Sequence, residues 1–247
     1  MDSVGKLLDY IVKVSKVPVR IEGEPVEGTP VSNVVISQNF FMKDDCTMCG
    51  RCCPNENTAY TETCFEIIQA VHKEDFDKWG LDYSYKEQLL TGSEKRTINI
   101  NGKMVHFYSH PSDKPSVANK VTYTDRGTIQ RCHWLFEDNG LYKCRIHPMR
   151  SITCGMPHLR FLHNSRYSTT TLSVSQFGRN WALGCPVVFG SYDEESVQNR
   201  IYWLKLLEVA ADDLGIETYL PEIIEYLDSG KRDPKRFSNV VRKGGLF

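Results

Sequence analysis

Four cysteines lie within eight consecutive residues, in the segment Cys46-Thr47-Met48-Cys49-Gly50-Arg51-Cys52-Cys53. Thiolates this close on one loop can surround a common point, as a soft metal ion or an iron–sulfur cluster requires. Gly50 favours such a loop, because a chain that winds tightly round a metal often needs a residue with positive φ. Four clustered thiols would gain little as ordinary core side chains. Metal binding is therefore the leading hypothesis.

The chain has nine cysteines in all, and the five outside this segment stand singly along the sequence. In a reducing compartment, clustered thiols serve metals or catalysis more often than disulfides. The odd total also argues against a fully paired disulfide framework. If Cys64 stands apart, the remaining cysteines are enough for two four-sulfur sites. The candidate metal ligands are Cys46, Cys49, Cys52, Cys53, Cys132, Cys144, Cys154 and Cys185.

The cysteine spacing resembles that of the YkgJ-type cysteine-cluster family of zinc- or iron-chelating proteins. Its front motif, CxxCxxCC, corresponds to the segment that begins at Cys46. Its second motif, C-x-I-[YH]-x-x-R-P-x-x-C, corresponds to Cys144, Ile146, His147, Arg150 and Cys154. The match covers residues 46–54 and 132–157 and does not extend to the flanks. The resemblance implies metal binding; a flagellin lysine methylase carries the same motif, but no single reaction is implied.

Two positions depart from the family pattern. Ser151 stands where proline is usual, and Gly155 follows Cys154 where arginine is common. Neither change alters the sulfur pattern. The missing arginine argues against an anion-binding role at that position.

The spacing of the cysteines favours one class of metal site over another. Structural zinc sites usually combine two well-separated CxxC pairs. Three or four cysteines on one loop, completed by remote ones, favour a [4Fe–4S] cluster. Neither the bacterial ferredoxin spacing nor the radical-SAM spacing C-x₃-C-x₂-C is reproduced. An iron–sulfur cluster is the prediction and zinc the alternative, and it stays open whether Cys52 and Cys53 both ligate.

The middle of the chain is basic. From Asp125 to Trp181 there are eight Lys or Arg residues against three Asp or Glu, although the whole chain has a net charge of −1. Arg145 and Arg150 lie between cysteines and are candidates for binding an anionic cofactor or substrate. The alternative is that they neutralise thiolate charge. An anionic small molecule or a macromolecule, with nucleic acid as one possibility, is the partner this charge suggests.

Cys64 and the histidines have ordinary explanations. Cys64 opens a predicted helix outside the family motif, and we expect a small buried side chain. The alternative is a reactive thiol whose pKa is lowered at a helix N-terminus. His133 and His147 sit beside cysteines, and we expect them to make outer hydrogen bonds or to be exposed rather than to bind metal.

Local patterns predict the elements that must position these residues. Residues 1–16 form an amphipathic helix, and residues 17–40 form short strands joined by turns. Thr63 and Glu66 predict a capping box for a helix that ends at Gly80. Asn101-Gly102 predicts a type I′ hairpin between flanking strands. Residues 121–136 and 166–177 also read as strands.

The C-terminal part predicts two helices. The first opens at Ser191-x-x-Glu194 and ends at Gly215, and its apolar stripe belongs to the core. The second begins at Pro221 and ends near Gly230. We therefore predict an α+β fold, with residues 1–230 as one metal-binding domain of short strands and hairpins, followed by a loosely held basic tail, 231–247.

Composition places the chain among ordinary globular proteins, with 40% hydrophobic and 25% charged residues. No apolar run reaches membrane-spanning length, and the first residues lack a secretory signal. A cytoplasmic location and no membrane partner are the expectation. Three functions remain: an iron–sulfur enzyme for redox or group-transfer chemistry, a zinc-stabilised binding module, and a metal carrier. Ligands this numerous would release metal slowly, which argues against the carrier.

Overall fold

The computed structural model describes residues 3–45, 58–74, 94–110, 120–123, 127–130, 135–144, 147, 150–156, 158–174 and 188–238. Helices and strands both contribute to it, which confirms the predicted α+β class. The helices are α1 (Ser3–Val12), α2 (Glu62–Val71), α3 (Ile152–Gly155), α4 (Glu194–Asp213) and α5 (Leu220–Asp228).

The strands are short, as the sequence predicts. They are β1 (Arg20–Ile21), β2 (Glu24–Pro25), β3 (Asn33–Ile36), β4 (Met42–Asp45), β5 (Thr58–Tyr60), β6 (Glu94–Ile100), β7 (Lys103–His110), β8 (Lys120–Tyr123), β9 (Gly127–Gln130), β10 (Leu135–Asp138), β11 (Leu141–Cys144), β12 (Leu159–Asn164), β13 (Thr169–Val174), β14 (Val188–Tyr192) and β15 (Lys235–Ser238).

Two larger sheets organise the described residues. One has the strand order β2-β1-β6-β7-β5 and is antiparallel, and the other has the order β12-β13-β3-β15. In the second sheet β13 and β3 run parallel, while the remaining pairs are antiparallel. Three two-stranded ladders join β10 to β11, β14 to β4, and β8 to β9.

The Asn-Gly hairpin is confirmed. Ile100 pairs with Lys103 across the turn between β6 and β7. Asn101 and Gly102 have φ values of 50° and 85°, which is the left-handed geometry of a type I′ turn. The predicted strands in 121–136 and 166–177 are present in part, as β8 to β10 and as β13.

The predicted helix faces form the core. In α1 and the residue pair that follows it, every predicted apolar position is buried: Val4, Leu7, Leu8, Ile11, Val12 and Val14. The stripe of α4 is equally buried, at Val197, Ile201, Leu204, Leu207, Ala211 and Leu214. Gly215, with φ 66°, follows the C-cap of α4, and Gly230, with φ 80°, lies just beyond α5. Both helix ends agree with the prediction.

Two helix starts differ from the prediction by two residues. The N-cap of α2 is Thr61, whose hydroxyl accepts a hydrogen bond from the Cys64 backbone N–H, because the Thr63 hydroxyl is bound to the Asp213 carboxylate at 2.8 Å. Helix α2 ends at Val71, and Gly80, where we predicted the end, lies outside the described residues. The N-cap of α4 is Asp193 rather than Ser191, because the Asp193 carboxylate accepts a hydrogen bond of 2.8 Å from the Ser196 N–H.

The expectation of a loosely held tail from Lys231 is wrong for its first part. Strand β15 pairs antiparallel with β3, and Phe237 lies opposite Val34. The Phe237 ring also packs against Tyr226, with 5.8 Å between ring centroids. This aromatic anchor holds a segment whose charge alone suggested exposure, while residues 239–247 lie outside the described part.

Buried side chains from Val4 to Leu227 form one continuous apolar cluster. The single-domain boundary at residue 230 stays a prediction. Among the described residues, no helix combines the length and the apolar character needed to cross a bilayer.

Candidate metal centre

The structure describes two of the eight predicted ligands, Cys144 and Cys154. Arg150 is also described, whereas Arg145 lies outside the described residues. The described part contains no group of three or more His, Cys, Asp or Glu side chains that could hold a metal ion. The predicted ligands outside the described residues are Cys46, Cys49, Cys52, Cys53, Cys132 and Cys185.

The ladder between β4 and β14 joins the chain segments that carry Cys46 and Cys185. Asp45 pairs with Val188 at the end of this ladder. Cys46 follows Asp45 directly, and Cys185 precedes Val188 by three residues. Three residues span at most about 10 Å. The paired residues thus stand one and three positions from two predicted ligands that are 139 positions apart in sequence (185 − 46), and the two cysteines themselves lie outside the described residues.

The hairpin of β10 and β11 does the same for a second pair of cysteines. Cys144 is opposite Leu135 in the register. Cys132 precedes Leu135 by three residues, again at most about 10 Å of chain. Cys144 is half-buried and packs against the apolar core. One of the predicted ligands thus lies on this short hairpin, and Cys132, three positions before it, lies outside the described residues.

Helix α3 carries Cys154 and packs against β5, α1 and α4. Strand β5 begins at Thr58, five residues after Cys53, so this packing links the far end of the front motif to the Cys154 region. Ser151, at the family's proline position, is fully buried, and its hydroxyl lies 3.0 Å from the Thr153 hydroxyl. Proline could not make this contact, because it has no hydroxyl group.

Gly155 also departs from the family for a visible reason. A Cβ atom placed on Gly155 would lie 2.2 Å from Cε2 of Trp203, whose ring is 2% exposed. Real Cβ atoms do not approach other atoms this closely, so a side chain at position 155 requires Trp203 to move. The arginine common in the family at this position is incompatible with Trp203.

Arg150 also contacts the Trp203 indole ring. Its guanidinium carbon is 5.5 Å from the Trp203 ring centre, a cation–π distance. It donates a hydrogen bond to the His147 ring and another, of 3.3 Å, to the His147 backbone oxygen. Partial removal from solvent, followed by the Arg150 charge, lowers the pKa of His147 to about 4. His147 is therefore neutral near neutral pH and accepts from Arg150.

Arg200 is a site residue that the sequence prediction missed. It is 5% exposed, and its guanidinium donates to the carbonyls of Phe40 and Met42, each at 2.7 Å. Its position offered a signal, since it lies three residues after Val197 and four before Leu204, on the buried stripe of α4. Arg200 and Trp203 lie within one turn of α4. Arg200 binds the chain that precedes Cys46, and Trp203 packs against α3, the helix that carries Cys154.

Cys64 is the buried thiol that the sequence predicts. It is 0% exposed, and its sulfur donates to the Leu206 carbonyl at 3.2 Å. Burial raises the pKa of Cys64 to about 12, with a smaller lowering contribution from the Thr61 hydroxyl. The alternative of a reactive, low-pKa thiol is wrong, because desolvation outweighs the helix N-terminus.

This pKa predicts a loss of stability in alkali. An unfolded cysteine ionises near about pH 8.5, whereas folded Cys64 keeps its proton to about pH 12. Between these values the folded state binds the extra proton, so the free energy of unfolding falls as pH rises, by up to about 1.4 kcal/mol per pH unit. Urea unfolding of the wild type and of Cys64→Ser should give a difference that changes by about 2 kcal/mol between about pH 7 and pH 10. Parallel pH profiles for the two proteins would contradict the assignment.

No protein-family model matches the chain, and neither a curated protein nor a solved structure does so. The resemblance to the YkgJ-type family stays a prediction from motif spacing. What the fold itself defines is an α+β protein.

Proposed function

We propose that this chain is a cysteine-ligated iron–sulfur protein whose ligands come from Cys46, Cys49, Cys52, Cys53, Cys132, Cys144, Cys154 and Cys185. The observation that carries the proposal is the pairing of Asp45 with Val188, which joins the segments of Cys46 and Cys185. The Leu135–Cys144 pair supports it in the same way for Cys132. A shared metal would account for predicted ligands that stand next to paired segments so distant in sequence.

The donor set fits iron–sulfur chemistry. Thiolates are the soft ligands that such clusters use, and eight of them suffice for two four-sulfur sites. A bound cluster would supply electron transfer or an electrophilic iron. A cytoplasmic location belongs to the proposal, because reduced thiols persist there.

The chain's own residues define a basic approach to this centre. Arg150 is stacked on Trp203 and hydrogen-bonded to His147, so its guanidinium is held in one place beside α3. Together with Arg145, it would orient an anionic group of a small molecule or macromolecule near the cysteines. We therefore assign redox or group-transfer chemistry on an anionic substrate as the reaction class.

The test is anaerobic purification followed by visible absorption, electron paramagnetic resonance, and iron, sulfide and zinc analysis. We expect brown protein with about four irons and four sulfides per cluster. Cys49→Ser and Cys154→Ser should lower iron content at least about tenfold, since even outer-shell changes reach this size.

Cys64→Ser is the matched control, because we do not assign Cys64 as a metal ligand. The serine hydroxyl can still donate a hydrogen bond to the Leu206 carbonyl, as the thiol does. The variant should keep full metal content. Loss of metal in Cys64→Ser would show the ligand assignment to be wrong. Colourless protein with stoichiometric zinc would replace the iron–sulfur proposal with the zinc-stabilised module.

A further inference from the structure

Arg160 projects from the second sheet on the face opposite its core side. Leu159 and Phe161, its neighbours on β12, are 2% and 4% exposed and face the core, so Arg160 points the other way. Its partner across the ladder is Ser173 on β13. On the next strand, Ser37 follows β3, and its backbone N–H donates to the Leu172 carbonyl at 3.0 Å.

The guanidinium of Arg160 carries unmet hydrogen-bond donors. Its Nε and Nη2 atoms are shielded from solvent and have no hydrogen-bond partner in the described part of the chain. The Ser37 hydroxyl is in the same condition. Buried polar groups almost always find partners, and an arginine cannot escape the cost by losing its proton. Two such groups, one on β12 and one directly after β3, with only β13 between these strands, indicate a ligand.

The chemistry of the donors selects the ligand. Nε and Nη2 lie on one edge of the guanidinium and present two parallel N–H groups, which match two oxygens of a carboxylate or phosphate. Strands lie about 4.8 Å apart, so Arg160 and Ser37 are about 10 Å apart at their backbones. One arginine side chain and one oxyanion bridge that distance. We propose that Arg160, with Ser37, binds an oxyanion.

The place of this site in the fold gives it a role. Arg160 stands six residues after Cys154. At the same end of the sheet, β13 ends at Val174, and β3 is followed in the chain by β4, which ends at Asp45. Among the described cysteines, Cys154 is thus the one that the chain places near the anion site. Resting on the proposed iron–sulfur function, the anion site binds an anionic group of the substrate in addition to the one assigned to Arg145 and Arg150.

The test is calorimetric titration of the purified, metal-analysed protein with inorganic phosphate and, separately, with acetate. The two probes distinguish phosphate from carboxylate as the recognised group. Arg160→Met should weaken binding of the preferred probe at least tenfold, and Arg160→Lys nearly as much, because a point charge lacks the paired edge. Ser37→Ala should weaken it about threefold to tenfold, the effect of one hydrogen bond.

Arg166→Gln is the control. Arg166 is an exposed arginine in the connection that follows β12, where it stacks on Tyr167. The substitution should leave binding unchanged. In anion-free buffer, Arg160→Met should also raise the melting temperature, since it removes two buried nitrogen donors that have no hydrogen-bond partner among the described residues. Added phosphate or acetate should then stabilise the wild type and not this variant.

Three outcomes overturn the anion site: neither probe binds the wild type, Arg160→Met binds as well as the wild type, or Arg160→Met melts lower without anion. Metal analysis of each variant separates this from the proposed function. If Arg160→Met loses metal but binds the anion as well as the wild type does, the partner of Arg160 is a thiolate, and the proposed metal centre is retained. Anion binding by a metal-free wild type would overturn the metal centre alone.

Discussion

Gly155→Ala lowers the free energy of unfolding by about 3 kcal/mol, the upper end of overpacking effects. The added methyl would lie 2.2, 2.3 and 2.6 Å from three atoms of the Trp203 ring, Cε2, Cδ2 and Cε3. Ordinary carbon contacts lie at about 3.5–4.0 Å. The clash therefore involves the flat side of a large ring rather than the end of a flexible side chain.

Neither partner can move aside cheaply. The Trp203 indole N–H donates to Asn199 Oδ1 at 3.0 Å, and its ring packs edge-on against Tyr202, with 4.8 Å between centroids. The Arg150 guanidinium occupies another side of the ring. On the opposite side, Gly155 N–H is bound to the Ser151 carbonyl at 2.8 Å, so the backbone of α3 is fixed as well.

Urea unfolding of four proteins measures this effect: the wild type, Gly155→Ala, Trp203→Ala and the double variant. In the Trp203→Ala background the methyl has room, so Gly155→Ala should cost less than about 1 kcal/mol, a coupling of about 2 kcal/mol. An equal cost in both backgrounds would mean that the indole is not what excludes a side chain. Because Gly155 adjoins Cys154, metal content should fall with the single variant and recover in the double.

Elements with local signals could be predicted from the sequence. The Asn-Gly turn, the apolar stripes of α1 and α4, and the glycines after α4 and α5 each depend on residues within a few positions. Strand pairing could not be predicted this way. The parallel pairing of β13 with β3 and the antiparallel pairing of β15 with β3 join residues far apart in sequence. The short-strand composition does not specify which strands become neighbours.

The candidate site divides in the same way. The spacing of the cysteines predicts the ligands as a set, and the predicted burial of the Cys64 side chain is confirmed. The contacts that position the site could not be read from spacing. The Arg200–Phe40 hydrogen bond spans 160 positions, and the Thr63–Asp213 bond that moved the α2 cap spans 150. Side chains compete for partners across the whole fold, and local motifs do not report that competition.

Arg200→Met should lower the free energy of unfolding by about 3 kcal/mol. Methionine fills much of the same volume but leaves the Phe40 and Met42 carbonyls without the charged donor that now lies 2.7 Å from each. Met42 opens β4, and β4 leads directly to Cys46. We therefore expect iron content per folded protein to fall together with stability.

Ile223→Ala separates these two effects. Ile223 is fully buried on α5, which packs against α4. Its truncation leaves a cavity and should lower the free energy of unfolding by a similar amount, about 2–4 kcal/mol. If Arg200 positions the Cys46 segment, Arg200→Met loses iron while Ile223→Ala, at matched stability, retains it. Equal iron loss in both variants would show that Arg200 affects iron content only through global stability. Equal retention would show that the front motif holds its metal without the anchor that α4 provides through Arg200.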